Sequence, residues 1–199
     1  MNNYAEPVTM TERDFISLQN KMLAELDGLS TQLTYHSKAH TMDVIAQSER
    51  IAKAEGITAA QDLLLLKTAA LFHDTGFLYT YANHEERGCE LFLEHTTGFS
   101  LDTTEKEIVM GLIMATKIPQ QPVTHLQQVI CDADLDYLGR DDFFEIAEGL
   151  RQEFLHYGIV ADDAAWEKMQ LNFLKNHQYH TASSQLLREP GKQAHLQSL

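Results

Sequence analysis

Apolar residues recur along this chain at intervals of three and four and hardly anywhere at intervals of two, which predicts an all-α fold of helices joined by short turns. Thr11 is a candidate N-cap, with Phe15, Leu18, Met22 and Leu26 following at helical spacing. A second helix is expected from about Lys38 to Glu55, stopped by Gly56. Thr58 with Gln61 forms a capping-box pattern ahead of DLLLLKTAALFHD, which is apolar on most sides. Such a helix belongs at the centre of a bundle, and it ends at Thr75–Gly76. Asn83 with Glu86 opens another helix to about Glu94, and Thr104 with Glu107 the next, to about Thr116. Thr124 with Gln127 opens a helix through Leu138, closed by Gly139. Asp141 opens one to about His156, and Asp162 or Asp163 one to about His177. A last segment from Thr181 is expected to be interrupted at Pro190–Gly191.

Composition narrows the class. The 199 residues suit one domain, expected over residues 10–199 behind a loose stretch, residues 1–9. Hydrophobic residues make up 44% and charged residues 22%, which excludes a disordered chain. Two cysteines, Cys89 and Cys131, exclude a disulfide scaffold or a Cys-rich zinc module and suit a reducing, cytoplasmic setting. Met1–Thr9 lacks the basic start and apolar run of a signal peptide, and no stretch approaches 18 uncharged apolar residues. Lys and Arg total 15 against 29 Asp and Glu, a net charge of −14. That field repels a polyanion, so nucleic acid is not the expected partner. A small anionic substrate stays possible where a bound cation inverts the local charge.

Three segments carry the chemistry. In YHSKAHTMDV, His36 and His40 are four apart: on one helix they share a face, and if the helix begins near Lys38, His36 hangs over its N-terminus. In AALFHDTGF, the apolar helix ends on His73–Asp74. These two either form an exposed capping pair or converge on one ion, since buried polar groups are costly unless paired or ligated. In VICDADLDYLGR, Asp132, Asp134 and Asp136 stand among Val129, Ile130, Leu135 and Leu138. Three carboxylates in one helix repel each other unless a cation is near. At least one of Asp132 and Asp136 is read as lying on a solvated face, and Asp134 on the inner side. Two His and two carboxylates make a mixed N/O donor set suited to Mn, Fe, Co, Ni, Zn or Mg, with positions left open for water or substrate.

The order His…His-Asp…Asp, with its spacing and helix context over residues 35–140, resembles the HD-domain superfamily of metal-dependent phosphohydrolases, in its small stand-alone bacterial form. The resemblance implies a helical bundle with the metal site between core helices. It implies His40, His73, Asp74 and Asp134 as ligands of one divalent ion, with Asp132 the alternate to Asp134. The YHS segment is similar to the YHN-x-x-H of cyclic-nucleotide phosphodiesterases, with Ser37 in place of Asn, which makes His36 a candidate general acid. His84, in His-x-x-x-Gly, matches a second-metal ligand of bimetallic members. The further His of those members is replaced by IMATK, which argues for one metal and assigns His84 to substrate or to a water. Lys117 and Arg140 are candidate phosphate contacts, and Arg188 and Lys192 weaker ones.

The activity this resemblance implies is hydrolysis of a phosphoester or phosphoanhydride of a small molecule, with a nucleotide the expected class. Water is activated at the ion, Asp74 or Asp134 steers it, and His36 protonates the leaving oxygen. The alternative is a non-catalytic metal- and nucleotide-binding module that acts as sensor or partner subunit. An HD-type oxygenase would need the missing His.

Overall fold

A computed structural model describes residues 10–199 of the chain, so the stretch expected to be loose, residues 1–9, lies outside the described residues. Those described form an all-helical domain: α1 Glu12–Glu25, α2 Lys38–Ala54, α3 Ala60–Phe72, α4 His84–His95, α5 Thr103–Ala115, α6 His125–Asp134, α7 Phe143–His156, α8 Asp163–Asn176 and α9 Ala182–Ser198. Short 3-10 turns follow α1, α3 and α6, the last two at Thr75–Leu78 and Asp136–Gly139.

The core has two parts. The first packs α1 to α6 around α3, where every residue from Leu64 to Phe72 is buried. Lys67 lies in that run because its ammonium sits over the Phe15 ring, 4.7 Å from its centre, and reaches Glu12 at 2.6 Å. The second part gathers Tyr35, the turn Asp136–Gly139, α7 and α8. α9 closes over that turn with backbone on backbone. A Cβ on Gly139 would meet the Arg188 carbonyl oxygen at 2.1 Å, and one on Gly191 would meet the Gly139 carbonyl oxygen at 2.3 Å.

The caps are where the expectations and the structure part. Thr11 and Thr124 cap as expected, each in a full capping box, and Asp162 caps α8. Thr58 and Gln61 do not form a box: α3 starts behind Ala59, and the Gln61 amide donates instead to Glu105 Oε1 at 2.5 Å. α5 is capped two residues earlier than expected. The Asp102 carboxylate accepts Glu105 N–H (2.8 Å) and Glu105 accepts Asp102 N–H (3.0 Å). A carboxylate gains from the helix dipole where a hydroxyl does not, so Asp102 displaces Thr104. Asn83 and Asp142 precede α4 and α7 without a side-chain cap bond.

The expected break at Pro190–Gly191 is absent, and α9 runs through both residues. Pro190 removes the N–H that the Leu186 carbonyl would take, at a position where the helix faces solvent, Leu186 being 84% exposed. Gly191 holds the following turn against Gly139.

Candidate metal centre

Each central side chain is placed by a local feature. Ser37 caps α2, its hydroxyl accepting His40 N–H at 3.4 Å, so His40 stands in the first turn and His36 lies before the cap. α3 delivers His73 and Asp74 at its C-terminal end, where the backbone leaves the helix at Asp74 (φ −108°, ψ 2°). Asp134 is the last residue of α6. α4 lies hard against the end of α3. A Cβ on Gly76 would meet the His84 carbonyl oxygen at 1.9 Å, and one on Gly88 would meet the Phe72 carbonyl oxygen at 2.7 Å. Two missing side chains thus bring His84 over Asp74.

The ligand atoms of His40, His73 and Asp74 lie within 4.8 Å of one another. His73 Nε2 is 3.3 Å from His40 Nε2 and 3.2 Å from Asp74 Oδ2, which is itself 3.4 Å from His40 Nε2. Asp134 Oδ1 stands outside this tight trio, 3.2 Å from His40 Nε2 and 3.6 Å from His73 Nε2. His73 Nδ1 lies 2.8 Å from the Ala70 carbonyl oxygen. The bond it donates there turns the Nε2 lone pair inward. Asp74 Oδ2 is buried and has no hydrogen-bond partner, although two imidazole nitrogens flank it. A lone pair facing an unpartnered carboxylate oxygen is repulsive unless a positive charge sits between them. Donor atoms about 2.1 Å from one centre are spaced by roughly 3.0–3.4 Å, and most of these separations fall in that range. The residues fit one divalent cation in a mixed N/O set, open on one side. Burial opposes the charge on both carboxylates, but protonated imidazoles beside them outweigh it, holding Asp134 at about 2 and Asp74 well below the carboxylate range, so in the ion-free group protons on the imidazoles supply the positive charge that a cation would replace.

His36 borders this group. Its ring lies 6.1 Å from that of His40 and stacks on Phe77 at 4.2 Å, and Phe77 in turn stacks on His84 at 3.9 Å. Its Nδ1 is in close contact with Glu153 Oε1 on α7. Glu153 is fully buried and also accepts Tyr35 N–H (3.0 Å), His36 N–H (3.1 Å) and the Tyr81 hydroxyl (2.9 Å). Burial works against a proton on His36, but the charge of Asp74 and the bond and charge of Glu153 outweigh it. The pKa of His36 therefore lies above the ordinary histidine value.

The other candidates divide. His84 Nε2 is 3.5 Å from Asp74 Oδ1, within reach of whatever Asp74 holds. Lys117 lies on the same side, bound to Glu86 and 3.3 Å from Asn83 Oδ1. Arg140 lines a cavity of about 360 Å³ with His40 and Asp134, and it is paired to Asp43 (2.6 Å) and Asp142 (2.7 Å). Arg188 and Lys192 face elsewhere. Arg188 NH2 is 2.9 Å from Asp136 Oδ2, and Lys192, 1% exposed, donates to the His177 carbonyl at 2.6 Å.

The solvated face expected for Asp132 and Asp136 does not exist, since both are fully buried. Asp132 accepts the N–H groups of His180 and Thr181, each at 2.8 Å, and is used up ahead of α9 rather than at the His–Asp group. Asp136 holds Arg50 at 2.6 Å and Arg188 at 2.9 Å. α9 and its lead-in cover the face that periodicity alone leaves open. Glu153 escapes the sequence reading altogether. Its signal is an acid three residues past Leu150 on the inner stripe of α7, where a carboxylate has no reason to lie without a partner.

A crystal structure of a structural-genomics protein from Lactobacillus plantarum shares this fold with a TM-score of 0.67, covering 96% of each chain at 17% identity. No curated protein matches the chain. Residues 38–136 match the family model for the HD domain, a span that includes His40, His73, Asp74 and Asp134, and the chain is an HD-domain protein.

Proposed function

We propose that this protein is a metal-dependent phosphohydrolase that cleaves a phosphoester or phosphoanhydride of a small molecule. The observation that carries the reading is the buried Asp74 oxygen, unpartnered between two imidazole nitrogens, inside an HD domain. His40, His73, Asp74 and Asp134 would hold one divalent ion. Such an ion, when bound, polarises a phosphoryl oxygen and makes water a better nucleophile at neutral pH.

The chain's own residues supply the rest. Asp74 and Asp134, held ionised by the imidazoles beside them, would orient water through their carboxylate oxygens. His84 stands 3.5 Å from one such oxygen and contacts substrate or water there. His36, held by Glu153 through Nδ1, keeps Nε2 free to deliver a proton. As water oxygen bonds to phosphorus, the bond from phosphorus to the leaving oxygen breaks. That oxygen keeps the electron pair and takes the His36 proton, while the attacking water gives up a proton to solvent and solvent returns one to His36. Arg140 lines the cavity shared with His40 and Asp134, Lys117 lies beside α4 at Glu86, and each shares its charge with carboxylates already. The family resemblance implies a nucleotide, so nucleotides head the assay.

The test is phosphate release from a panel of phosphate esters, by purified protein with and without Mn²⁺, alongside Asp74→Ala. Release that needs the metal and is lost in the variant supports the reading. Folded protein that binds metal and nucleotide and releases nothing replaces it with the binding-module alternative.

A further inference from the structure

The second part of the core is hollow. Beside α7 and α8 lies a cavity of about 350 Å³ whose inner wall is Tyr35 and His36, with Phe154, Trp166 and Phe173 among its other sides. Among the described residues, no Asp, Glu, Lys or Arg lines it. It opens past Ile118 and Met169, which are 53% and 38% exposed. An apolar cavity of about 150 Å³ accepts benzene, so this one accepts roughly a two-ring aromatic or a chain of about eight carbons.

Its position sets its meaning. The Tyr35 ring lies 4.6 Å from that of His40 and 5.4 Å from that of Tyr137. Both tyrosines also line the cavity shared by His40, Asp134 and Arg140. The two rings therefore separate a polar space at the His–Asp group from an apolar space at His36. The group that leaves with the His36 proton has its organic part on the His36 side.

We propose that this cavity receives the organic group of the phosphoester cleaved at the His–Asp centre, and that this group is apolar: an alkyl chain or a plain aromatic ring rather than a sugar or a nucleobase. The proposal rests on the phosphohydrolase reading and puts an apolar ester in place of the nucleotide that the family resemblance implies. Sugars and bases bring hydroxyls, ring nitrogens and exocyclic polar groups that lose water on burial. The wall answers with the Gln170 amide, two tyrosine hydroxyls and the His36 ring; the Tyr35 hydroxyl is directed to the Asp134 carbonyl at 3.5 Å, and His36 is tied to Glu153 through Nδ1. Burial of an apolar group on aromatic walls needs no such partners.

The chain's single tryptophan, Trp166, is 7% exposed and stands on the cavity wall, so its fluorescence reports occupancy without any turnover. Wild-type protein is titrated with n-octyl phosphate, glycerol phosphate and a nucleoside monophosphate, and phosphate release is measured on the same three with Mn²⁺. The expected result is a saturable Trp166 response to octyl phosphate alone and a kcat/KM at least 100-fold higher for it than for glycerol phosphate. Gln170→Glu, which places a charge on the wall with little change of shape, is expected to weaken octyl phosphate binding at least tenfold in protein of unchanged circular dichroism. A Trp166 that stays silent with octyl phosphate at millimolar concentration overturns the proposal, as does a preference for the nucleoside monophosphate. Octyl phosphate bound with no phosphate released from any ester overturns the phosphohydrolase reading and leaves the cavity assignment standing. Equal cleavage of octyl and glycerol phosphates with a silent Trp166 does the reverse.

Discussion

Glu153 holds His36 from 117 residues away, accepting its backbone N–H at 3.1 Å while contacting its ring Nδ1. The bond ties α7 to the segment ahead of α2, fixes the imidazole and favours its protonated form. Glu153→Gln keeps the shape and removes the charge. Turnover is expected to fall about 10- to 100-fold. Because Glu153 raises the His36 pKa, its neutralisation lowers that pKa, and the basic limb of the kcat/KM profile moves to lower pH. A profile unmoved by the substitution would show that Glu153 acts on the fold alone.

Bound metal stabilises only the folded state. At a hundred times Kd, Mn²⁺ is expected to add about 2.7 kcal/mol to unfolding free energy, and a chelator to remove it. Asp134→Asn should lose this response in thermal denaturation. An equal rise in Tm in variant and wild type would exclude Asp134 from the ligand set.

Asp132 and Asp134 are two residues apart and have separate tasks. Asp132→Ala leaves the N–H groups of His180 and Thr181 without their acceptor. The expected cost is about 3 kcal/mol in denaturant unfolding, with metal stoichiometry unchanged. Loss of metal in a folded Asp132→Ala protein would reverse the assignment of the two aspartates.

His177 gives the stability a pH dependence. Burial, then the charge of Lys192 beside it, pushes its pKa down to about 3. The unfolded chain takes up this proton near pH 6.5 and the folded chain does not. Stability therefore falls as pH drops from about 6.5, by at most about 1.4 kcal/mol per unit and less where water reaches the ring. His177→Gln should be flatter between about pH 6.5 and 5 in urea unfolding. Parallel curves for the two proteins would show that His177 titrates normally.

Much of the fold and the site is legible in the sequence, because local signals decide it. α3 reads as central from its unbroken apolar run, and Thr11 and Thr124 carry their capping partners three residues on. His40, His73, Asp74 and Asp134 stand together as their order along the chain implies. The rest depends on distant chain. Asp132 and Asp136 look solvated until α9 and the residues before it are laid over them. Pro190 looks like a break until Gly191 meets Gly139. Glu153 is one acid among many until its contacts with Tyr35, His36 and Tyr81 are drawn. Periodicity reports which face is apolar, not what covers a polar one.

The proposed function depends first on Asp74 and its neighbours holding a catalytic ion. The most direct measurement is metal content by mass spectrometry, paired with phosphate release, for wild type and Asp74→Ala. One divalent ion per chain and metal-dependent release are expected in the wild type. In the variant the ion is lost and the rate falls at least a hundredfold. Wild-type turnover in Asp74→Ala would contradict the proposed function.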